Sequence, residues 1–319
     1  MPIISVIIPT YKPGTYLYKC LDTVIGQKID KQGVEVIIVL NGCNEPYASS
    51  IKEYIENNDP DGIIHFIQTD APGVSNARNI GIGAARGQFI AFVDDDDFVS
   101  PTYLEELLRV SDKETVGLSN ELRYNEIDDS TQTESFSDEY KRKAGAGKQP
   151  YRKTQKYFSG PCMKLIHRDV IDKYRFDTRY TNGEDSLFMF QISRNMKYVD
   201  FTSPEAIYYR RVRQGSAMSN EKQVSAMVKN RLKMMVSFIG IYLNAPSQYS
   251  FRFLVTRLMG CLHSILNSIK SAMRTTTRIT PPPSRLESIP LFTERFFGTI
   301  PVHYVFTRQQ CPLPVSCCL

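Results

Sequence analysis

Tryptophan is absent from the 319 residues, so aromatic packing, and any stacking against a sugar or a base, falls to 18 tyrosines and 17 phenylalanines. The seven cysteines are scattered, with no Cys-x-x-Cys pair and no histidine at zinc-ligand spacing. A structural zinc site and a dithiol redox motif are thereby excluded, and a reduced, cytoplasmic setting is expected. The first residues read as a strand, without the basic and apolar regions of a secretory signal. No uninterrupted apolar run reaches about 18 residues, so no spanning helix is expected. Charge of one sign is also scarce. The net +5 comes from basic and acidic residues too interspersed to form a nucleic-acid groove, although the balance suits an anionic small molecule or an anionic membrane surface. The length allows about two domains.

What is present is concentrated in one stretch. Gly73 to Asp97 reads as a helix, a glycine stop at Gly87, a buried strand and four consecutive aspartates, Asp94 to Asp97. Adjacent carboxylates repel one another, and a divalent cation relieves that repulsion. If the strand continued through them, Asp94 and Asp96 would face one way and Asp95 and Asp97 the other. An Asp-x-Asp of that kind suits one hard ion, Mg2+ or Mn2+, completed by water and phosphate oxygens. The plain alternative is a solvated acidic turn.

The stretches around this cluster repeat a pattern. Ile3 to Pro9, Val34 to Leu40 and Ile63 to Gln68 are short apolar strands. Between them Leu17, Leu21, Val24 and Ile25, then Ile51, Tyr54 and Ile55, then Ala77, Ile80, Gly81 and Ala84 recur at helical spacing. Four alternations of strand and helix predict an α/β fold: a Rossmann-like, mostly parallel sheet flanked by helices, with a ligand crevice beyond the strand carboxyl ends. Gly81-Ile-Gly-Ala-Ala-Arg-Gly87 is not a dinucleotide fingerprint, because its sixth position is Arg86 and the glycines close a helix rather than open one.

Five pieces in order resemble one family, the inverting nucleotide-sugar glycosyltransferases of family 2, with the GT-A fold. They are Ser5-Val-Ile-Ile-Pro-Thr-Tyr11, Val39-Leu-Asn-Gly-Cys-Asn-Glu45, Gly73-Val-Ser-Asn-Ala-Arg-Asn79, Phe92-Val-Asp-Asp-Asp-Asp97 with Pro101, and Gly183-Glu-Asp185. The resemblance spans roughly residues 3 to 219. It implies donor contacts from Pro9, Thr10, Tyr11, Asn41, Arg78, Asp94 and Asp95, a metal ligand in Asp96, and a general base in Asp185. Family members commonly have an Asp-Asp pair where this chain has Leu40 and Asn41; an amide could serve a uracil edge instead. The reaction implied is inverting transfer from a nucleoside diphosphate sugar, UDP-hexose or UDP-N-acetylhexosamine, to a glycan or lipid-linked glycan acceptor, with Mg2+ or Mn2+. Two other readings stand beside it. A sugar nucleotidyltransferase would need a glycine-rich basic loop after the first strand, which Pro9 to Gly14 does not supply; a silent nucleotide-sugar-binding module would keep binding without turnover.

Several of these residues also have simpler roles. Glu184 and Asp185 suit the first turn of a helix that begins after Asn182, where the helix dipole favours acids. Arg78, in a helix starting near Ser75, could instead be solvent-exposed. Tyr208 to Ser219 reads as a basic loop resembling the family's lid, without indicating which of Arg210, Arg211 and Arg213 points inward. Lys164 and Glu184 are candidates on the acceptor side. Three regions follow: a donor half over 1–100, an acceptor half over 101–219 with a polar, mobile insertion near 128–152, and a helical extension and tail over 220–319. In that extension Val228 to Leu243 and Phe253 to Ile269 are amphipathic, which allows peripheral contact with the inner face of a membrane. The tail after Thr275 carries no functional signal.

Overall fold

The computed structural model describes residues 2–133, 137–212 and 221–279. Met1–Thr277 forms one compact unit and Arg278–Leu319 a second. The elements in chain order are β1 (Ile4–Thr10), α1 (Tyr16–Ile25), β2 (Val34–Asn41), α2 (Tyr47–Asn58), β3 (Ile64–Thr69), α3 (Val74–Ala84), β4 (Phe89–Phe92), β5 (Phe98–Val99) and α4 (Tyr103–Val110). They continue with β6 (Thr115–Leu118), β7 (Asn120–Asn125), β8 (Ser130–Thr133), α5 (Ser137–Lys143), β9 (Gln149–Pro150), β10 (Lys164–His167), α6 (Arg168–Ile171), α7 (Glu184–Ile192), β11 (Tyr198–Phe201), β12 (Ile207–Val212), α8 (Glu221–Asn244) and α9 (Phe251–Ile279).

The strands of the main sheet run β3-β2-β1-β4-β10-β6-β11-β9. Its first four are parallel, as the alternation of strand and helix predicts. β10 then enters antiparallel to both β4 and β6, so the second half is mixed. Every residue of β1 and β2 is buried, the near-continuous apolar pattern of strands covered on both faces. Ser5 and Glu35 interrupt it within the strands. Ser5 Oγ donates to Glu35 Oε1 at 2.6 Å, and Arg86 Nε closes the pair at 2.9 Å, so both are hydrogen-bonded where they are buried. Gly87 belongs to this cluster and is not a helix stop: α3 ends at Ala84, and a Cβ on Gly87 would lie 2.7 Å from the Ser5 nitrogen.

A second, smaller sheet, β5-β12-β7-β8, is not predicted from the sequence. Its β12 is the first half of the stretch read as a basic loop, and it pairs in register with β7 from Ile207–Asn120 to Val212–Asn125. In the polar stretch 128–152, expected to be a mobile insertion, the described residues include β8, α5 and β9. Tyr140 anchors it, 3% exposed, with its hydroxyl hydrogen-bonded to the Leu118 carbonyl at 2.8 Å and its ring edge-on to Phe201. The two C-terminal helices form as expected but run longer. They pack against α7, where Phe190 meets Phe238, Tyr249 and Phe253 at ring separations of 5.1 to 5.4 Å. No described helix is long and apolar enough to cross a membrane.

Candidate active site

A cavity of about 720 Å³ opens beyond the carboxyl ends of β1, β2 and β4 and against the first turns of α3 and α7. Parallel strands leave such a crevice where their connections diverge to opposite faces. Among the residues expected there, Pro9, Thr10, Tyr11, Asn41, Arg78, Asp94, Asp95, Asp96 and Glu184 line it. Tyr16, Pro72, Gly73, Val74 and Thr181 also do. Of these, Gly73 and Val74 sit in a motif visible in the sequence, whereas Tyr16 and Thr181 carry no local signal. Asp185, Lys164, Arg210 and Arg211 are outside the lining, and Arg213 is outside the described residues.

The four aspartates do not continue the strand. β4 ends at Phe92, and the Asp97 N–H donates to the Asp94 carbonyl at 3.1 Å, closing a turn. Alternation therefore does not apply: Asp94, Asp95 and Asp96 all face the cavity and Asp97 alone turns inward. Thr10 Oγ1 donates to Asp95 Oδ2 at 2.5 Å. Asp97, 4% exposed, accepts from the Tyr208 hydroxyl at 2.7 Å and the Arg211 N–H at 2.9 Å. Burial, and then the neighbouring Asp94 and Asp96, push its carboxyl up to about 8. Arg211 also donates from Nε to the Asp96 carbonyl at 2.8 Å, so of Arg210 and Arg211 it is the one that points at the acidic turn. Arg210 is half-exposed and pairs with Glu121 at 2.9 Å.

Arg78 joins this turn to the start of α7. Its side chain is 3% exposed, which rules out the solvent-facing alternative. Nη2 donates to Asp94 Oδ1 at 2.8 Å and Nη1 to Asp185 Oδ1 at 2.5 Å, with Glu184 Oε1 3.7 Å away. Burial alone would lower its pKa, but Asp94 and Asp185 raise it above the ordinary value. Asp185 is pushed up to about 6, by burial first and by Glu184 and Asp94, against the lowering influence of Arg78. Glu184 is buried, and its Oε2 has no hydrogen-bond partner although it belongs to a cavity-lining residue.

The α7 start is fixed from the far side. Gly183, not Asn182, is the N-cap, at φ 89°, and a Cβ there would lie 2.4 Å from Arg231 Nη1. Asn182 instead receives hydrogen bonds from Asn230 and Arg231 of α8, at 2.8 and 2.6 Å. Asn230 and Arg231 carry no sequence signal for this role, because they lie 48 and 49 residues away in the chain.

Two further expectations change. Asn41 lines the cavity, but its amide is already engaged: Nδ2 donates to the Thr10 carbonyl at 2.7 Å and Oδ1 accepts from Gly73 N at 2.8 Å. It latches the β1 end to the loop before α3, leaving one N–H for any ligand. Lys164 is fully buried rather than at an acceptor surface. Burial lowers its pKa to about 8, and Nζ donates to the Gly160 and Cys162 carbonyls at 2.8 and 3.0 Å. Cys162 in turn lies with Sγ 3.6 Å from Asp94 Oδ2. Lys164 thus ties down the loop that backs the acidic turn.

No three His, Cys, Asp or Glu side chains among the described residues are grouped to hold a metal. Of the cavity's carboxylates, Asp95 and Asp96 are nonetheless hard oxygen donors, suited to a Mg2+ or Mn2+ ion that takes one or two carboxylates and fills its other positions with water and phosphate.

EpsH of Bacillus subtilis (strain 168) is 29% identical to the chain over 219 residues, 66% of this chain and 61% of EpsH. The minor teichoic acid biosynthesis protein GgaB of the same organism is 29% identical over 226 residues, 68% of this chain and 24% of GgaB. The chain therefore spans less than two thirds of either relative. Among solved structures, Staphylococcus aureus TarS 1-349 in complex with UDP-GlcNAc superposes with a TM-score of 0.61 at 22% identity, covering 88% of this chain and 76% of that one. The fold is thus the GT-A arrangement of a large sheet flanked by helices. Residues 5–175, more than half of the chain and the part that supplies most of the cavity wall, match glycosyl transferase family 2, and the chain belongs to that family.

Proposed function

We propose that the protein transfers a sugar, with inversion, from a nucleoside diphosphate sugar to a hydroxyl of a glycan acceptor. The observation that carries this reading is Arg78, a buried cation that links the acidic turn of Asp94 to Asp185 beside a cavity of about 720 Å³. That volume falls in the range of small-molecule sites, roughly 300–1,000 Å³. UDP-GlcNAc in the related TarS complex supports a UDP-sugar donor, and the likeness to a teichoic acid biosynthesis protein supports a surface polymer as the setting.

Each residue then has a task its geometry permits. Pro9, Thr10 and Tyr11 line the nucleoside end, and Tyr11, half-exposed at the rim, offers a face for the base. Asp95 and Asp96 would hold a Mg2+ or Mn2+ ion, which would offset the charge that builds on the departing diphosphate. Glu184 Oε2, buried and unpartnered, accepts a hydrogen bond from a sugar hydroxyl. Asp185 removes the acceptor's proton as its oxygen attacks the anomeric carbon. A carboxyl at about 6 is ionised at neutral pH yet basic enough to share a proton in the transition state. One displacement on the face opposite the leaving diphosphate inverts the anomeric configuration.

Calorimetric titration with UDP, GDP and CMP, with and without Mn2+, tests the donor site. Metal-dependent binding of UDP that is lost in Asp96→Ala supports the reading. Absence of nucleotide binding under every condition would return the acidic turn to a solvated structural feature.

A further inference from the structure

We propose that the outer face of the α8–α9 pair is a docking surface for an anionic lipid membrane. Ten of the fifteen exposed large apolar side chains among the described residues lie on these two helices. On α8, Leu232, Val236, Ile239 and Leu243 follow one another in steps of four, three and four. On α9, Val255, Met259, Leu262, Leu266 and Ile269 do the same. Such steps place each set on a single stripe of its helix. The exposure is substantial, reaching 70% at Val236 and 58% at Met259.

The two stripes share one side. The helices are antiparallel, since Tyr242 meets Phe251, Arg231 Nε reaches Ser264 Oγ, and Ser268 Oγ contacts Met227 Sδ. Phe238 and Phe253 mark the inner side, both against Phe190 of α7. At 3.6 residues per turn each stripe is rotated roughly 100–180° from those phenylalanines, and the antiparallel pairing brings both to the surface away from α7. The result is an apolar face two helices wide, unlike the scattered single residues of an ordinary surface.

Charge selects the occupant. From Lys222 to Leu286 the sequence contains no aspartate or glutamate, while lysines and arginines recur from Lys222 to Arg285. The exposed Lys229, Lys233, Arg252 and Lys270 flank the stripes. A second copy of this chain seated on the face would set these cations against their own kind with no carboxylate from either helix to offset them. Anionic headgroups supply the missing charge, and their acyl boundary takes the apolar stripe, as for helices lying in the plane of a bilayer. No described helix can cross the membrane, so the contact is peripheral.

Flotation of the full chain with phosphatidylcholine vesicles, with and without phosphatidylglycerol, tests this independently of the sugar-transfer reading. Binding is expected to the anionic vesicles and to fall on raising salt. Val236→Glu with Met259→Glu should reduce it by about tenfold or more. Both positions are exposed, so unchanged circular dichroism and UDP binding would show an intact fold. A milder pair, Lys229→Gln with Lys233→Gln, should weaken binding severalfold. Failure to float with anionic vesicles would overturn the proposal, as would equal binding to neutral ones or a dimer in solution that the Val236→Glu change dissociates.

Discussion

Arg78 has a role set by its neighbours rather than its own chemistry: one guanidinium serves Asp94 and Asp185 with Glu184 close by, three carboxyl groups around one cation. Asp185→Asn should lower kcat by about 10²–10⁴-fold while leaving UDP affinity nearly unchanged, as single-turnover kinetics and calorimetry would show. The pH profile gives a finer test. A base must be unprotonated, so kcat/KM should fall as pH drops through about 6, not through the ordinary carboxylate range near 4. Arg78 is the influence holding that value down and Glu184 raises it. Glu184→Gln should therefore move the acid limb to lower pH, and Arg78→Met to higher pH. Arg78→Met should also cost roughly 1–3 kcal/mol in urea unfolding, below the cost at a fully buried pair, because the side chains of Asp94 and Asp185 are 37% and 33% exposed.

At the scale of elements, the site depends on places where one segment stops and another begins. Gly183 allows α7 to start against α8, with Arg231 and Met234 filling the space a side chain would need. Gly183→Ala adds a strained positive φ to that overlap and should cost on the order of 1–3 kcal/mol, with turnover falling more than donor affinity because the first turn of α7 carries Asp185. Paired thermal melts and kinetics would separate the two effects. The turn after β4 is likewise held by β12, through Tyr208 and Arg211 on Asp97. None of this was legible in the aspartate run itself. A run of identical residues has no periodicity to reveal where a strand ends, and the contacts that turn Asp97 inward come from more than a hundred residues away.

At the scale of the whole molecule, the C-terminal helices are packed into the compact unit that carries the cavity. Met234, Phe238, Phe253 and Leu254 are at most 5% exposed against the body. Phe238→Ala should cost about 3–5 kcal/mol, a sizeable share of the 5–15 kcal/mol typical of a folded domain, and chemical denaturation would measure it. The same change should weaken turnover through α7 even though Phe238 does not line the cavity.

The parallel half of the sheet, the helices between its strands and the cluster of polar residues beyond their ends were all determined by the sequence. Their signals are local: apolar runs buried on both faces, helical spacing, and motifs within a few residues of one another. Nine of the candidate residues line the cavity for that reason. Tertiary structure decided the rest. The antiparallel entry of β10, the second sheet, the anchoring of Tyr140 and the burial of Lys164 beside β6 all depend on contacts between segments far apart in the chain. A buried lysine and an exposed one look alike in sequence, because what separates them is whether distant strands cover the side chain, as β4 and β6 flank β10 here.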